Sequence, residues 1–191
     1  MEKLNQRIVV IEGPSGAGKD TIIKTLVKKY PDRFAKLVSV ATRAMRPNES
    51  QGNPYHFVSN EEFDQMVASG DIFEYTIRPG EKRGMSEKYI QELFTQNKIP
   101  LKDCNLIGVN ALKSRFQDVV TIFITADKNE IEQRLHRRGD ALKDIEARMA
   151  DYDECIKEAE HFDHVIMNDD LEKTIDKILQ IIYTWRYGKY K

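Results

Sequence analysis

The segment at 13–19, made of Gly13, Pro14, Ser15, Gly16, Ala17, Gly18 and Lys19, fits G-x-x-x-x-G-K and constrains this chain more than any other feature in it. Glycines at these places let consecutive backbone N–H groups turn inward round an anion, and a lysine at this spacing reaches the β- and γ-phosphates of a nucleoside triphosphate. The flanks agree. Ile8, Val9, Val10 and Ile11 form the apolar run of a buried parallel strand, and Ile22, Ile23, Leu26, Val27 and Tyr30 recur at helical spacing after the loop. Strand, loop and helix in that order make an anion site at a helix N-terminus. A turn serving structure alone has no need of Lys19. The next position, usually a Ser or Thr that ligates Mg²⁺, is Asp20, followed by Thr21. A carboxylate is a hard-oxygen ligand, so Asp20 is a candidate for Mg²⁺ and equally a first-turn residue favoured by the helix dipole.

At 191 residues the chain is long enough for one domain with a full core and small insertions. Charged residues make up 32% of it, yet the formal net charge is only −1, so no overall field draws nucleic acid or a membrane surface. Cys104 and Cys155 lack metal-ligand spacing, and no apolar segment precedes the first strand. These features predict a reduced, cytoplasmic protein whose thiols pack rather than react.

Downstream the pattern alternates. A turn at Pro31 and Asp32 leads through Leu37, Val38, Ser39 and Val40 into a basic, hydrophilic stretch over 42–54. Ser59 and Glu62 form a capping box for a helix that turns Phe63, Met66 and Val67 inward and stops at Gly70. A strand over 72–77 and a helix over 86–96 follow. The segment 99–105 lies where a core strand belongs, although Pro100, Lys102 and Asp103 spoil its apolar run. Residues 119–124 read as a buried strand, 129–161 as helices broken near Gly139 and Asp140, and 165–167 as a last strand. Leu171, Ile175, Ile178, Leu179 and Ile182 line a C-terminal helix. Alternating strands and helices imply an α/β fold with a mostly parallel sheet flanked by helices.

A second phosphate site is suggested by Ser39, Arg43, Arg46, Glu49 and Tyr55, since two arginines three apart grip phosphate by charge-assisted bonds. Glu74 lies further along. The order of Ser39, Thr42, Arg43, Arg46, Glu49, Gly52, Tyr55 and Phe57, with Asn168, Asp169, Asp170 and Leu171 near the end, resembles the guanylate kinase family over nearly the whole length. The resemblance implies a P-loop kinase fold with an inserted nucleotide-monophosphate-binding subdomain over 37–89 and a lid over 128–161, the core being 1–36, 90–127 and 162–191. It implies that Arg43, Arg46 and Tyr55 bind the GMP phosphate, that Glu49 supports them, and that Ser39 and Glu74 meet guanine. A carboxylate suits that place because it accepts from both N1–H and the exocyclic amine. Asn168 falls near the adenine pocket, and Arg134, Arg138 and Arg148 act on the transferring phosphoryl group. Arg134 and Arg138 share a helix face, with Arg137 a solvated charge. ATP as donor, Mg²⁺ as cofactor, GMP as acceptor, and a monomer or homodimer complete what the resemblance implies.

Three places depart from the family pattern. Arg83, Gly84 and Met85 stand for Tyr-Gly-Thr, so Arg83 is a substitute phosphate donor while Met85 lacks the hydroxyl. Asp103, Cys104 and Asn105 stand for E/D-I-D, leaving Asp103 as the carboxylate for Mg²⁺ or the arginines. Ala41 replaces a threonine. His56 reads as a half-buried strand residue. The Gly-Lys-Asp ending of the loop also resembles ribose 1,5-bisphosphate-forming kinases, and a non-catalytic, phosphopeptide-binding module is the third alternative.

Overall fold

The computed structural model describes residues 6–188. A five-stranded parallel sheet carries the architecture. Its strands are β1 (Arg7–Glu12), β2 (Phe34–Lys36), β7 (Ile99–Lys102), β8 (Asp118–Thr125) and β9 (His164–Met167), in the spatial order β2-β7-β1-β8-β9. A smaller four-stranded sheet, β4-β3-β6-β5, is built from β3 (Val40–Ala41), β4 (His56–Phe57), β5 (Ile72–Arg78) and β6 (Glu81–Ser86). The helices are α1 (Lys19–Lys29), α2 (Asn60–Ala68), α3 (Glu87–Thr95), α4 (Leu106–Arg115), α5 (Lys128–Arg138), α6 (Leu142–Ala150), α7 (Tyr152–Lys157) and α8 (Leu171–Gly188). Among the described residues, no helix is long and apolar enough to cross a membrane.

The period-two geometry of a strand divides the core into two layers. Along β1, Val9 and Ile11 join a cluster with Ile22, Ile23 and Leu26 of α1 and Ile175 and Ile178 of α8. Ile8 and Val10 face the opposite layer with Ile90 and Phe94 of α3 and Val109 and Leu112 of α4. Strand β8 repeats the division, with Val120, Ile122 and Ile124 in the first layer and Val119 and Phe123 in the second. Each fully buried aliphatic side chain of this kind contributes about 1.5–3 kcal/mol.

The local signals form where the sequence carries them. Ser59 Oγ accepts from Glu62 N while Glu62 returns a bond to Ser59 N, completing the capping box of α2. Gly139, at φ 82°, ends α5 in the left-handed conformation, its N–H bonded to His136 O at 3.0 Å. Tyr30 departs from the expected stripe: α1 stops at Lys29, and Tyr30 caps it with 37% of its surface exposed. Strand β7 forms in spite of Pro100 because of which way its groups point. Ile99 N bonds Arg33 O and Leu101 O accepts from Leu37 N, both toward β2. Pro100 therefore turns its missing donor toward β1, whose register with β7 begins only at Val9 and Leu101. The strand ends at Lys102, and Asn105 caps α4 by accepting from Gly108 N at 3.2 Å.

Candidate active site

The loop at 13–18 leaves the C-terminal end of β1 and opens α1, with Gly18 at φ 101° as its N-cap. Gly13 lies at φ 142°, and a Cβ there would stand 1.8 Å from Ile124 O. Lys19 Nζ donates to the carbonyls of Gly13 and Pro14 and lies 3.9 Å from Glu12. Burial pushes the Glu12 carboxyl up, and the Lys19 charge opposes that shift. The loop is braced from behind. Asn168 Nδ2, buried, donates to Ala17 O at 2.7 Å, and Arg134 Nη2 donates to Asn168 O at 2.9 Å. A cleft of about 410 Å³ opens beside the loop, lined among others by Lys19, Asp20, Thr21, Arg134, Arg138 and Asn168.

Helices α5 and α6 bring three arginines to this cleft. Arg138 Nε donates to Asp140 at 2.7 Å, Arg148 Nε lies 3.7 Å from the same carboxylate, and Arg148 Nη1 donates to Ser15 Oγ. Asp140 therefore links both arginines, and Arg138 beside it holds its carboxyl below the usual range. Arg137 is exposed but not simply solvated. Its guanidinium donates to Glu130 at 2.8 Å, the carboxylate that also pairs with Arg134 at 3.0 Å.

The parallel register puts a second site beside the first. Val10 of β1 pairs with Lys102 of β7, so the chain after β7 emerges next to the chain after β1. There Ser39, Glu74, Arg83, Met85, Lys102 and Asp103 line a pocket of about 170 Å³. A contiguous pocket of about 230 Å³ adds Lys36, Pro54 and Tyr55. The register of β5 on β6 slips between Ile72 and Glu74, a bulge of the kind that re-aims a side chain. Burial pushes the Glu74 carboxyl up, with the Lys102 charge opposing.

Around Tyr55 the cations are held in a fixed array. Arg43 makes a fork to Glu49, both bonds 2.7 Å, and Glu49 also accepts from Arg46 N at 2.8 Å. The Arg43 guanidinium lies 5.2 Å from the Tyr55 ring and 5.2 Å from the Phe57 ring, while that of Arg83 lies 4.8 Å from Tyr55. Glu81 ties the two, 2.7 Å from Arg83 Nε and 3.5 Å from Arg43 Nε. The Arg46 side chain is exposed, and what this residue gives the network is its backbone N–H.

The bonds from Arg43 and from the Arg46 backbone hold the Glu49 carboxyl down at about 2. A group depressed on folding stabilises fully above its unfolded value, about 4.3, and loses that contribution as pH falls through its folded value. The urea midpoint difference between wild type and Glu49→Gln is therefore constant from neutral pH down to about pH 5 and narrows on further acidification toward pH 2. A difference that stays constant into that acid range contradicts the assignment.

Among the described residues no three His, Cys, Asp or Glu gather as a metal cage. Mg²⁺ in nucleotide sites takes one or two protein carboxylates, with phosphates and water completing the octahedron. Asp20 fits that requirement: it lines the loop cleft, is 70% exposed at its side chain, and has its nearest cation, Lys36, 3.9 Å away. Asp103 lines the second pair of pockets and not the loop cleft. His56 lies on β4 stacked 3.6 Å from the Tyr89 ring, and burial lowers its pKa. Burial raises both thiols, Cys104 to about 12, which keeps them unreactive.

Sequence reasoning missed Glu12, Glu81, Lys102 and Asp140 in these sites. Asp140 and Glu81 are acidic residues among many, with no periodic signal. Lys102 did carry one, a charge within a buried strand, but it weighed only against the strand.

A glycine loop delivered by a parallel strand to a helix N-terminus, with arginines brought over it from a helical insertion, marks the phosphate-loop kinases, and this chain has that fold. The family model for guanylate kinases matches residues 5–184, and the chain belongs to the guanylate kinase family. It is 38% identical to the guanylate kinase of Chlamydia felis over 180 residues, covering 93% of this chain and 87% of that protein. It is 31% identical to that of Campylobacter jejuni over 188 residues, covering 97% and 91%. The crystal structure of guanylate kinase from Anaplasma phagocytophilum superposes with a TM-score of 0.66 at 28% identity, covering 96% of this chain and 88% of that one.

Proposed function

We propose that this protein transfers the γ-phosphoryl group of ATP to GMP or dGMP, giving ADP and GDP or dGDP. The observation that carries the reading is the register of β7 against β1, which sets the pocket of Ser39, Glu74 and Asp103 beside the phosphate loop. Donor and acceptor are then neighbours before any motion, and catalysis is chiefly positioning and charge stabilisation. The amides at 13–18 and Lys19 hold the β- and γ-phosphates. Asn168, already bonded to the loop, lies toward the adenine. Arg43, Arg83 and Tyr55 take the acceptor phosphate, with Glu49 and Glu81 fixing the guanidinium directions, and Arg46 adds its exposed charge. Asp20 would hold Mg²⁺, which would supply charge neutralisation to the bound phosphates. The segments 37–89 and 128–161 act as acceptor-binding and lid subdomains, and closure excludes water from the transferring group.

In this reading Arg134, Arg138 and Arg148 stabilise the charge of the phosphoryl group in flight. Removing such a donor costs about 10²–10³-fold in turnover. Steady-state kinetics of Arg138→Ala and Arg148→Ala are expected to show kcat lower by about that factor while the KM values for both nucleotides change several-fold at most. A rise in KM at unchanged kcat assigns the arginines to ground-state binding instead.

A coupled ADP-release assay tests the reading, with GMP, dGMP, AMP, CMP, UMP and ribose 1,5-bisphosphate offered separately. Selective turnover of GMP and dGMP is expected. Turnover of ribose 1,5-bisphosphate alone moves the protein to another kinase class, and a folded protein silent with every acceptor contradicts the proposal.

A further inference from the structure

Lys102 is the least expected residue in the acceptor pocket. It closes a strand whose other members, Ile99, Pro100 and Leu101, are all buried, and it is itself only 7% exposed. Among the described residues its ammonium donates to Ser39 Oγ alone, at 2.7 Å, which leaves two of its three N–H groups unused. Glu74 and Asp103 act on it as charges without ion-pairing contact, and burial lowers its pKa against them. Taking an ammonium out of water is costly unless its donors are satisfied. One hydroxyl does not satisfy it, and the side chain lines both acceptor pockets.

The groups around it define what is missing. Glu74, across the same pocket, is an acceptor for the N1–H and amino edge of a guanine. The position adjoining that edge on the base is the 6-oxo group, which needs a donor. Met85, 2% exposed and lining the pocket, has none to give. We propose that Lys102 is the specificity residue for the 6-position of the acceptor base, donating from its unused N–H groups to a 6-oxo oxygen and opposing a 6-amino group. This inference rests on the reading of the pocket as a purine-monophosphate site. Ser39 then serves to aim the lysine and meets the base at one remove.

The test compares GMP, inosine 5′-monophosphate and 6-thioguanosine 5′-monophosphate as acceptors for wild type and Lys102→Met. The thio compound keeps N1–H and the 2-amino group and replaces only the oxygen by a weak acceptor. A charge-assisted hydrogen bond corresponds to about tenfold or more in kcat/KM. Wild type is expected to favour GMP over the thio compound by about that factor, and Lys102→Met to bring the ratio near one, with GMP and inosine monophosphate losing equally. Equal losses for all three acceptors, or no loss, overturn the proposal. Wild-type turnover of GMP reports separately on the purine-site reading, so the two failures are distinguishable. Should Lys102→Met show no cooperative thermal transition, Lys102→Gln takes its place. Its amide still donates but without charge, so the GMP preference over the thio compound is expected to shrink without reaching one, and an unchanged preference overturns the proposal.

Discussion

Lys19→Ala lowers kcat by on the order of 10³-fold or more while the folded state persists. The expectation follows from where the side chain sits. Its ammonium turns back onto the carbonyls of Gly13 and Pro14, 3.9 Å from Glu12, so it belongs to the loop and supports no part of the core. Removing it takes away the charge proposed to meet the β- and γ-phosphates and leaves the packing of Ile22, Ile23 and Leu26 untouched. Thermal melting is expected to keep one cooperative transition, since the side chain reaches only the loop carbonyls and Glu12. Glu12 provides a second readout. The lysine charge holds its carboxyl below where burial alone puts it, so the Glu12 titration moves upward in the variant. An alanine variant with wild-type turnover removes the loop from the mechanism.

Gly13→Ala strikes the fold and the site together. The backbone at φ 142° is one that L side chains rarely adopt, and the added Cβ would stand 1.8 Å from Ile124 O. That oxygen belongs to β8, which runs in register with β1 from Arg7 and Asp118 to Glu12 and Phe123, so it cannot retreat without breaking the centre of the sheet. The cost is about 3 kcal/mol or more of stability, from backbone strain plus displaced structure. Urea denaturation measures it, and ATP affinity falls in the fraction that folds. A Gly13→Ala protein as stable as wild type contradicts the packing described for the loop.

The fold was legible where one rule dominated. The continuous apolar runs of β1 and β8, the Ser59 and Glu62 box, and the Gly139 break each act locally, and each element formed where its signal lay. Strands β2 and β6 and helix α4 carried weaker signals. Lys82, Arg83 and Gly84 lie in a strand of the smaller sheet that is recognisable only through its pairing with β5 and β3. Leu106, Ile107 and Val109 make no clean helical stripe, and Ile107 stands 68% exposed on α4. For the site, motif spacing located Lys19, Arg43, Glu49 and Tyr55. It carried no information on Glu81 or Asp140, whose importance is that they tie pairs of arginines brought together only by the fold. Asn105, which stands where a second carboxylate was expected, caps α4 through its side-chain oxygen, a task an amide performs as well as an acid.

Transfer from nucleotide to nucleotide is read by following the phosphoryl group itself. Wild-type protein is mixed with Mg²⁺, ATP labelled in its γ-phosphate, and GMP, and the products are separated after a single turnover. Nucleotide-to-nucleotide transfer puts the label in the β-phosphate of GDP, with little released as inorganic phosphate. Label recovered as inorganic phosphate, or none transferred while ATP is bound, contradicts it.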